Sequence, residues 1–188
     1  MRIISGNLKG KKILQPKDKD TRPLKDLTKE SIFNIILHSN KFRINIKNSK
    51  ILDLFSGVGS FGLECLSRGA SSLIFIENYK EVLPILKKNI FNLKYQNTSL
   101  IVEKDIFKIF DFKIYNRKFD IIFLDPPYKD KNLENLLNEI KNQKMLNKNG
   151  IIILHRHKNE ADNFPLSFKF IEQKVYGISK IIFLSHLN

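Results

Sequence analysis

Short apolar runs alternate with helix-like stretches along most of the chain, and this alternation constrains the fold more than any other feature. Apolar composition predicts five buried strands, at Lys50–Phe55, Ser72–Ile76, Thr98–Val102, Phe119–Leu124 and Gly150–Leu154. Helical spacing predicts intervening helices at Gly59–Arg68, Tyr79–Leu93 and Leu133–Lys144. The last runs, Phe168–Tyr176 and Lys180–Ser185 around Gly177, predict a hairpin. The chain is therefore expected to form an α/β, Rossmann-like fold: a mainly parallel seven-stranded sheet with helices on both faces and an antiparallel C-terminal hairpin.

The composition narrows the class of protein. With 188 residues and 42% hydrophobic content, the chain can bury one ordinary core, and no apolar run reaches the length of a bilayer span. Its start, MRIISGNLKGKK, has no apolar segment typical of a secretory signal. The single cysteine, Cys65, cannot form an internal disulfide, and we expect it to be a small packing residue. We expect a cytoplasmic protein without a membrane partner, and a monomer is the default.

Positive charge is concentrated in the first quarter of the chain. The formal charge is +14, from 33 basic and 19 acidic residues. Residues 1–50 contain 13 Lys/Arg and 4 Asp/Glu, a net +9, which leaves 20 and 15, a net +5, for the remainder. We interpret residues 1–48 as a basic appendage, built from a ribbon at Arg2–Ile13 and a helix at Leu27–Leu37, on a domain that spans residues 49–188. The asymmetry favours a polyanionic partner, whereas the alternative is a lysine-rich surface that is merely solvated.

A glycine-rich loop follows the first predicted strand. The segment DLFSGVGSFGLE contains Gly57, Gly59 and Gly62 in the spacing G-x-G-x-x-G, between a strand and a helix. Glu77 lies 20 residues beyond Gly57, at the end of the second strand, where a carboxylate can hold ribose hydroxyls. The pattern alone is also compatible with a dinucleotide.

Two carboxylates favour S-adenosylmethionine over a dinucleotide. Asp53 lies within the first strand, where it would repel a pyrophosphate but would suit ammonium and sulfonium charges. Asp105, after the third strand, is placed to accept a hydrogen bond from an adenine amino group, with Ile106 against the ring. The alternative role of Asp105 is to cap the helix that begins at Ile106.

The fourth predicted strand ends in FLDPPYKD, which suits methylation of an amino group on a base. The two prolines supply carbonyl oxygens and no backbone N–H. Asp125 and the carbonyl of Pro126 can accept both N–H bonds of an exocyclic amino group, and the carboxylate opposes the positive charge that grows on nitrogen. Beyond Pro127, Tyr128 can stack on the base, which contributes about 1–3 kcal/mol. No metal or protein nucleophile is needed, and the alternative is an ordinary Pro-Pro turn.

Several motifs together resemble one known family. The segments RIISGNLKGKKI, RPLKDLTKESIFNIIL, LDLFSGVGSFGLECLSRGA, FLDPPY and KVYGISKIIFL span nearly the whole chain and look like the RsmD-type family. The resemblance implies a class I S-adenosylmethionine methyltransferase fold. It also implies methylation of the N2 amino group of a guanine in small-subunit (16S) ribosomal RNA, either naked or in an assembling subunit.

The resemblance also implies roles for particular residues. The cofactor would contact Asp53, Phe55, Gly57, Gly59, Glu77, Asp105 and Ile106, and the guanine would meet Asp125, Pro126, Pro127 and Tyr128. The N-terminal helix signature would cover the site and meet RNA, which makes substrate contacts of Arg22, Asp26, Lys29, Asn34, Lys9 and Lys11. Three positions depart from the family pattern: Leu24 replaces a common Thr, Lys29 a usual Arg, and His155 a common acid. We expect His155 and His157 to be exposed or RNA-facing and not metal ligands.

Other functions share part of this pattern. A DNA adenine-N6 amino-methyltransferase would use the same proline loop, although the chain lacks room for a sizeable separate target-recognition domain. A non-catalytic RNA-binding module with a vestigial cofactor pocket would share the basic segment, and its failure to bind S-adenosylmethionine would identify it. An NAD-dependent enzyme is disfavoured by Asp53 together with the proline loop.

Overall fold

The computed structural model describes residues 1–16, 24–108, 118–127 and 132–187. The strands are β1 Lys50–Leu54, β2 Ser72–Ile76, β3 Ser99–Val102, β4 Phe119–Leu124, β5 Leu146–His157, β6 Phe168–Tyr176 and β7 Ser179–His186. The helices are α1 Asp26–His38, α2 Ser60–Ser67, α3 Leu83–Asn92 and α4 Leu133–Asn142, and Ile106–Lys108 forms one 3₁₀ turn.

The seven strands form one sheet in the order β3-β2-β1-β4-β5-β7-β6. Strands β1 to β5 pair in parallel, and β7 pairs antiparallel with both β5 and β6. The predicted fold class, including the C-terminal hairpin, is confirmed. The chain moves outward from β1 to β3 and then returns to place β4 on the other side of β1, so the strand order reverses between β1 and β4.

Strands β1, β2, β4, β5 and β7 bury both faces over most of their length, because each face of the sheet contacts a different layer of helices. On one face, α1, α2 and α3 share an apolar cluster with alternate strand residues such as Ile51, Phe123 and Phe183. On the other, α4 packs on the intervening residues, among them Leu52 and Ile122. This two-sided burial explains why the strands are almost continuously apolar in sequence.

The first residues are packed against the sheet domain and share its core. Arg2 and Lys12 form an antiparallel bridge, which confirms the expected ribbon. Ile3 and Ile13 point into the cluster that also contains α1 and α2. The division into an appendage and a domain at residue 48 stays a prediction, but the described N-terminal residues have no core separate from that of the sheet.

An aromatic column attaches α1 to the sheet. Phe33 of α1 stacks on Phe61 of α2 with ring centroids 5.3 Å apart, and Phe61 stacks on Phe123 of β4 at 4.1 Å. The guanidinium of Arg68 lies 4.2 Å above the Phe33 ring. Offset stacking of this kind adds to the area burial of each ring. Helix α1 is thereby fixed to the element that leads into the proline loop.

Two predicted elements differ from the observed ones by more than two residues at an end. Helix α3 begins at Leu83 and not at Tyr79: residues 80–82 form a turn before the helix, in which the Val82 N–H donates to the Tyr79 carbonyl at 3.2 Å. Strand β5 extends from Leu146 to His157, well beyond the apolar run at its centre, because β7 pairs with it as far as His157. The longer strand places His155 inside the sheet.

Candidate active site

Three carboxylates leave neighbouring parallel strands at the point where the strand order reverses. Leu54, at the end of β1, is in register with Ile76 of β2 and with Leu124 of β4. Glu77 and Asp125 directly follow those two strands, while Asp53 lies one residue inside the end of β1. In open α/β sheets, ligands bind beyond the carboxyl ends of the strands at such a switch point. The structure therefore assembles three acids that the sequence predicts for the site.

The glycine loop adopts a backbone that ordinary residues avoid. Phe55 has φ +62°, Gly57 +55° and Gly59 +82°. For a phenylalanine, a positive φ is strained, and such strain is concentrated at functional sites. A Cβ at Gly57 would meet no atom within 4 Å, so the backbone there faces open space, as close approach to a ligand requires.

Gly62, the third glycine of the pattern, has a different role. A Cβ there would lie 2.6 Å from side-chain carbons of Leu73 and Phe75 and 2.9 Å from Asp53 Oδ2. The absence of a side chain lets α2 approach β1 and β2 closely, and the Gly62 N–H donates to Asp53 Oδ2 at 3.0 Å. The glycine spacing thus serves both ligand approach and helix–sheet packing.

Glu77 organises the glycine loop as well as lining the site. Its carboxylate accepts from the Gly57 N–H at 2.6 Å and from the N–H groups of Asn78 and Tyr79 at 2.9 and 2.8 Å. The side chain is 8% exposed. It was predicted to hold ribose hydroxyls, and that role stays a prediction; its role as the hydrogen-bond acceptor that fixes Gly57 was missed.

Asp53 is buried, and one of its two carboxylate oxygens has no hydrogen-bond donor within the part of the chain that the structure describes. Its Oδ2 accepts from Gly62, while no hydrogen-bond donor among the described residues reaches Oδ1. Burial raises the pKa of this carboxyl well above its usual value, the Gly62 hydrogen bond opposes that rise, and the charges of Asp125 and Glu77 add to it. A cationic ligand would relieve both the unpaired oxygen and the mutual repulsion. The residues present therefore fit the positively charged amino and sulfonium groups of S-adenosylmethionine.

Asp105 and Ile106 lie at the turn after β3. Asp105 Oδ1 accepts from the Phe107 N–H at 3.0 Å, so the capping role considered for Asp105 is confirmed. Ile106 is buried in the apolar cluster on the α4 face, and Phe107 lies against Phe55 with ring centroids 5.7 Å apart. The contact links this turn to the glycine loop. Contacts of Asp105 and Ile106 with adenine stay predictions.

The proline loop is held by two neighbouring residues of β5. His155 Nδ1 lies 2.8 Å from Asp125 Oδ1, and Arg156 donates from a guanidinium nitrogen to the Pro127 carbonyl at 3.2 Å. Arg156 is itself fixed by Asp162, whose Oδ1 accepts from Nε at 2.8 Å. Asp125 keeps 21% of its side chain exposed. The carboxylate is therefore oriented from behind while part of it faces outward.

The structure corrects our expectation for His155. We expected an exposed or RNA-facing side chain, but His155 is 5% exposed and its Nε2 lies 2.9 Å from Ser179 Oγ. The error arose because the sequence does not show that β7 lies beside β5 and buries this residue. His155, Arg156 and Ser179 are the residues of the site region that sequence reasoning missed. The polar ending HRH of an apolar strand was the available signal.

The predicted RNA contacts divide into exposed and buried residues. Lys9, Lys11 and Asn34 are exposed, and Asp26 is partly exposed in the first turn of α1. Lys29 has no exposed surface: its ammonium donates to the Arg2 carbonyl at 2.8 Å and lies 3.6 Å from the Glu64 carboxylate. Lys29 is thus unavailable to a phosphate in this structure. Arg22 and Tyr128 lie outside the described residues.

Three further findings concern the rest of the described chain. Cys65 is fully buried in the core, as predicted. The described residues contain no cluster of three or more His, Cys, Asp or Glu side chains that could hold a metal ion. Within the same parts of the chain, none of the helices combines the length and the apolar character needed to span a bilayer.

The sheet order, the glycine loop at the switch point and the Asp-Pro-Pro loop beside it define an S-adenosylmethionine-dependent methyltransferase of class I fold. The chain belongs to the family described as Conserved hypothetical protein 95, whose model matches residues 1–185. The resemblance to the RsmD-type family is confirmed by curated relatives. A relative from Buchnera aphidicola subsp. Acyrthosiphon pisum, named "Ribosomal RNA small subunit methyltransferase D", is 34% identical over 92% of this chain and 86% of its own length. A relative of the same name from Haemophilus influenzae is 31% identical over 95% of this chain and 90% of its own length.

A solved structure agrees with the family assignment. The Escherichia coli protein yhhF superposes with a TM-score of 0.84 at 27% identity, over 99% of this chain and 97% of that one. The match includes the N-terminal residues as well as the sheet, so the two chains share the whole architecture and not only the cofactor-binding half.

Proposed function

We propose that the enzyme transfers a methyl group from S-adenosylmethionine to the N2 amino group of a guanine in small-subunit ribosomal RNA. The observation that carries the proposal is the Asp125–Pro127 loop, whose partly exposed carboxylate is fixed at the end of β4 beside the glycine loop. Relatives that cover nearly the whole chain are named as small-subunit ribosomal RNA methyltransferases, which supports this class of substrate.

The proline loop suits an amino group because it offers several hydrogen-bond acceptors close together. Asp125 has a partly exposed carboxylate, and two consecutive prolines leave the carbonyls of residues 125 and 126 without neighbouring backbone donors. Two accepted N–H bonds would turn the nitrogen lone pair toward the methyl donor, and the carboxylate would stabilise the positive charge that develops on nitrogen. Tyr128 would stack on the guanine.

The cofactor would be held by residues that the glycine loop brings together. S-adenosylmethionine, when bound, supplies a methyl group activated by the positive charge on sulfur. Asp53 would balance that charge, the Gly57–Gly59 backbone would admit the methionine part, Glu77 would hold the ribose, and Asp105 and Ile106 would meet the adenine. No metal ion is needed for this arrangement.

The RNA would be attracted by the basic N-terminal residues. Lys9 and Lys11 are exposed on the ribbon that packs beside α2, and residues 1–50 carry a net +9. Phosphate contacts of this kind supply affinity and position but no sequence information. Asp26 and Asn34 on α1 would contact the same RNA, and Arg22 would contribute a further positive charge. We propose a cytoplasmic monomer that acts on ribosomal RNA, either naked or in the assembling small subunit.

The test is a methyl-transfer assay with labelled S-adenosylmethionine and small-subunit RNA, naked and in subunits, followed by mass-spectrometric mapping of the modified base. We expect N2-methylguanine, and we expect Asp125→Ala to abolish its formation. Asp120→Ala is the matched control and should keep the activity, because Asp120 lies near the opposite end of β4, where it accepts from the Lys50 N–H and from Asn147. Label on DNA adenine alone would reject the RNA assignment, and failure to bind S-adenosylmethionine would indicate the non-catalytic RNA-binding module.

A further inference from the structure

A buried chain of three side chains leads from the proline loop into the sheet. Asp125 Oδ1 lies 2.8 Å from His155 Nδ1, and His155 Nε2 lies 2.9 Å from Ser179 Oγ. His155 and Ser179 are 5% and 7% exposed, whereas Asp125 is the member that reaches the surface. The order Asp-His-Ser resembles that of the catalytic triad of a serine hydrolase, but here the serine is the buried end of the row. These hydrogen bonds can therefore influence the Asp125 carboxylate, whereas the Ser179 hydroxyl is too buried to react.

The two contacts of His155 differ in what they allow. An ionised carboxylate only accepts hydrogen bonds, so the Nδ1 that faces Asp125 carries a hydrogen. A serine hydroxyl can donate to a neutral Nε2 or accept from a protonated one. Ser179 therefore satisfies His155 in both protonation states, and the ring can gain or lose a proton without leaving Asp125.

We propose that His155 is a positioning residue for Asp125 and that its neutral form is the active one, so that protonation of the imidazole slows methyl transfer. This inference rests on the proposed function. With a neutral imidazole the Asp125–His155 pair carries one negative charge, which stabilises the positive charge that develops on the amino nitrogen. An imidazolium 2.8 Å from Oδ1 cancels that charge where it is needed.

The charged groups around His155 set where it titrates. Burial acts to lower the pKa of His155, but the charge and the hydrogen bond of Asp125 outweigh burial, and the nearby Arg156 charge opposes them, so that the pKa lies above its ordinary value. From β7, Ser179 is neutral, and the adjacent Lys180 is paired with Asp162, which also binds Arg156. His155 is therefore expected to titrate above the ordinary pKa of histidine.

The test is the single-turnover rate at saturating cofactor and RNA, measured from about pH 6 to about pH 9 to span the ordinary pKa of histidine. We expect the wild-type rate to fall on the acid side. His155→Asn can still donate to Asp125 but does not titrate. The rate of this variant should therefore not fall toward acid pH (the acid limb of the wild-type profile should be lost), and its rate at alkaline pH should be lower than that of the wild type by no more than about threefold. His155→Leu removes the donor and should lower the alkaline rate by about 10- to 100-fold. His157→Asn, two residues along the same strand, is the matched control and should keep the limb.

Nuclear magnetic resonance of the imidazole tests the pair without any turnover. We expect a hydrogen on Nδ1 in the wild type and a fall in the pKa of His155 in Asp125→Asn. An acid limb that persists in His155→Asn, or a rate that rises toward acid pH, would overturn the active-form assignment even with methylation established. An unchanged His155 titration in Asp125→Asn would overturn the pairing. If the wild type methylates no RNA, the proposed function and the rate claim fail together, while the resonance result still decides whether the pair exists.

Discussion

A buried carboxylate joins the first residues of the chain to helix α2, and removing it should be costly. Glu64 has no exposed surface. Its two oxygens accept from the backbone N–H groups of Ile4 and Ser5 at 2.7 and 2.9 Å and from Arg68 Nε at 2.8 Å, with the Lys29 ammonium 3.6 Å away. Glu64→Ala would leave a buried ammonium and two backbone donors without this acceptor.

The expected loss follows from the burial of the partners. Removing one member of a buried charge network costs about 3–5 kcal/mol, because the remaining charge stays buried without compensation. The orphaned amides of Ile4 and Ser5 are only partly buried and can regain water, so we take about 4 kcal/mol for the whole change. Burial lowers the pKa of Lys29 and Glu64 opposes that effect most strongly, so its removal makes the charged form of Lys29 still less favourable. For a chain of this length the loss corresponds to a fall in melting temperature of about 8–16 °C.

Urea and thermal unfolding of the purified protein measure this loss, and Glu103→Ala is the matched control. Glu103 makes a shorter ion pair, 2.6 Å from Lys87 Nζ, but the two side chains are 47% and 55% exposed. An exposed pair contributes about 0–1 kcal/mol despite its short distance. If Glu64→Ala costs no more than Glu103→Ala, burial does not determine the strength of these contacts and the reasoning is wrong.

Four further changes have defined outcomes. Gly62→Ala should destabilise the protein by about 1–3 kcal/mol through overpacking against β1 and β2, less a propensity gain below about 1 kcal/mol, and differential scanning calorimetry measures the difference. The affinity for single-stranded RNA should fall with salt with a logarithmic slope of about −0.7 for each phosphate neutralised, so a flat titration would contradict the basic-surface argument. Binding of S-adenosylmethionine should release protons because a cation favours the ionised form of Asp53, and calorimetry in buffers of different ionisation enthalpy should show no such release in Asp53→Asn. Folding raises the pKa of His155, so protonated His155 contributes to the free energy of unfolding; this contribution is fully present below about pH 6.5 and is lost as the pH rises through the folded-state pKa. The free energy of unfolding of the wild type should therefore exceed that of His155→Asn by more at about pH 5.5 than at about pH 9.

The sheet could be predicted from sequence because its central strands, β1, β4 and β5, are buried on both faces over most of their length. A strand such as Phe119–Leu124, whose bounds were predicted exactly as observed, has no polar face and is flanked by polar segments. The position of Asp125 follows from that strand, since any residue after it must emerge at the same edge of the sheet as Glu77. Local pattern and topology therefore fixed the part of the site that lies on β1, β2 and β4.

The residues behind the site could not be predicted because their contacts depend on distant partners. His155 is separated from Asp125 by 30 residues and from Ser179 by 24. The parallel register of β4 and β5 places His155 beside Asp125, and the antiparallel pairing of β7 with β5 brings Ser179 to the same ring. Lys29 has the same difficulty: a lysine on an amphipathic helix is ordinarily exposed, and its burial depends on Glu64 and on the Arg2 carbonyl, far away in sequence.

The molecule separates its charges by function. The chain as a whole carries +14, yet the switch point gathers Asp53, Glu77 and Asp125, which are close enough for the latter two to raise the pKa of the first. A basic exterior attracts the phosphates of a polyanion from a distance, while an acidic pocket repels them at close range. In the proposed function, a nucleotide would therefore be favoured in the orientation that keeps its phosphates away from these acids and presents its uncharged base, amino group first, to the carboxylates. The same acids would favour a cationic methyl donor over a dinucleotide, so one electrostatic arrangement would select both reactants.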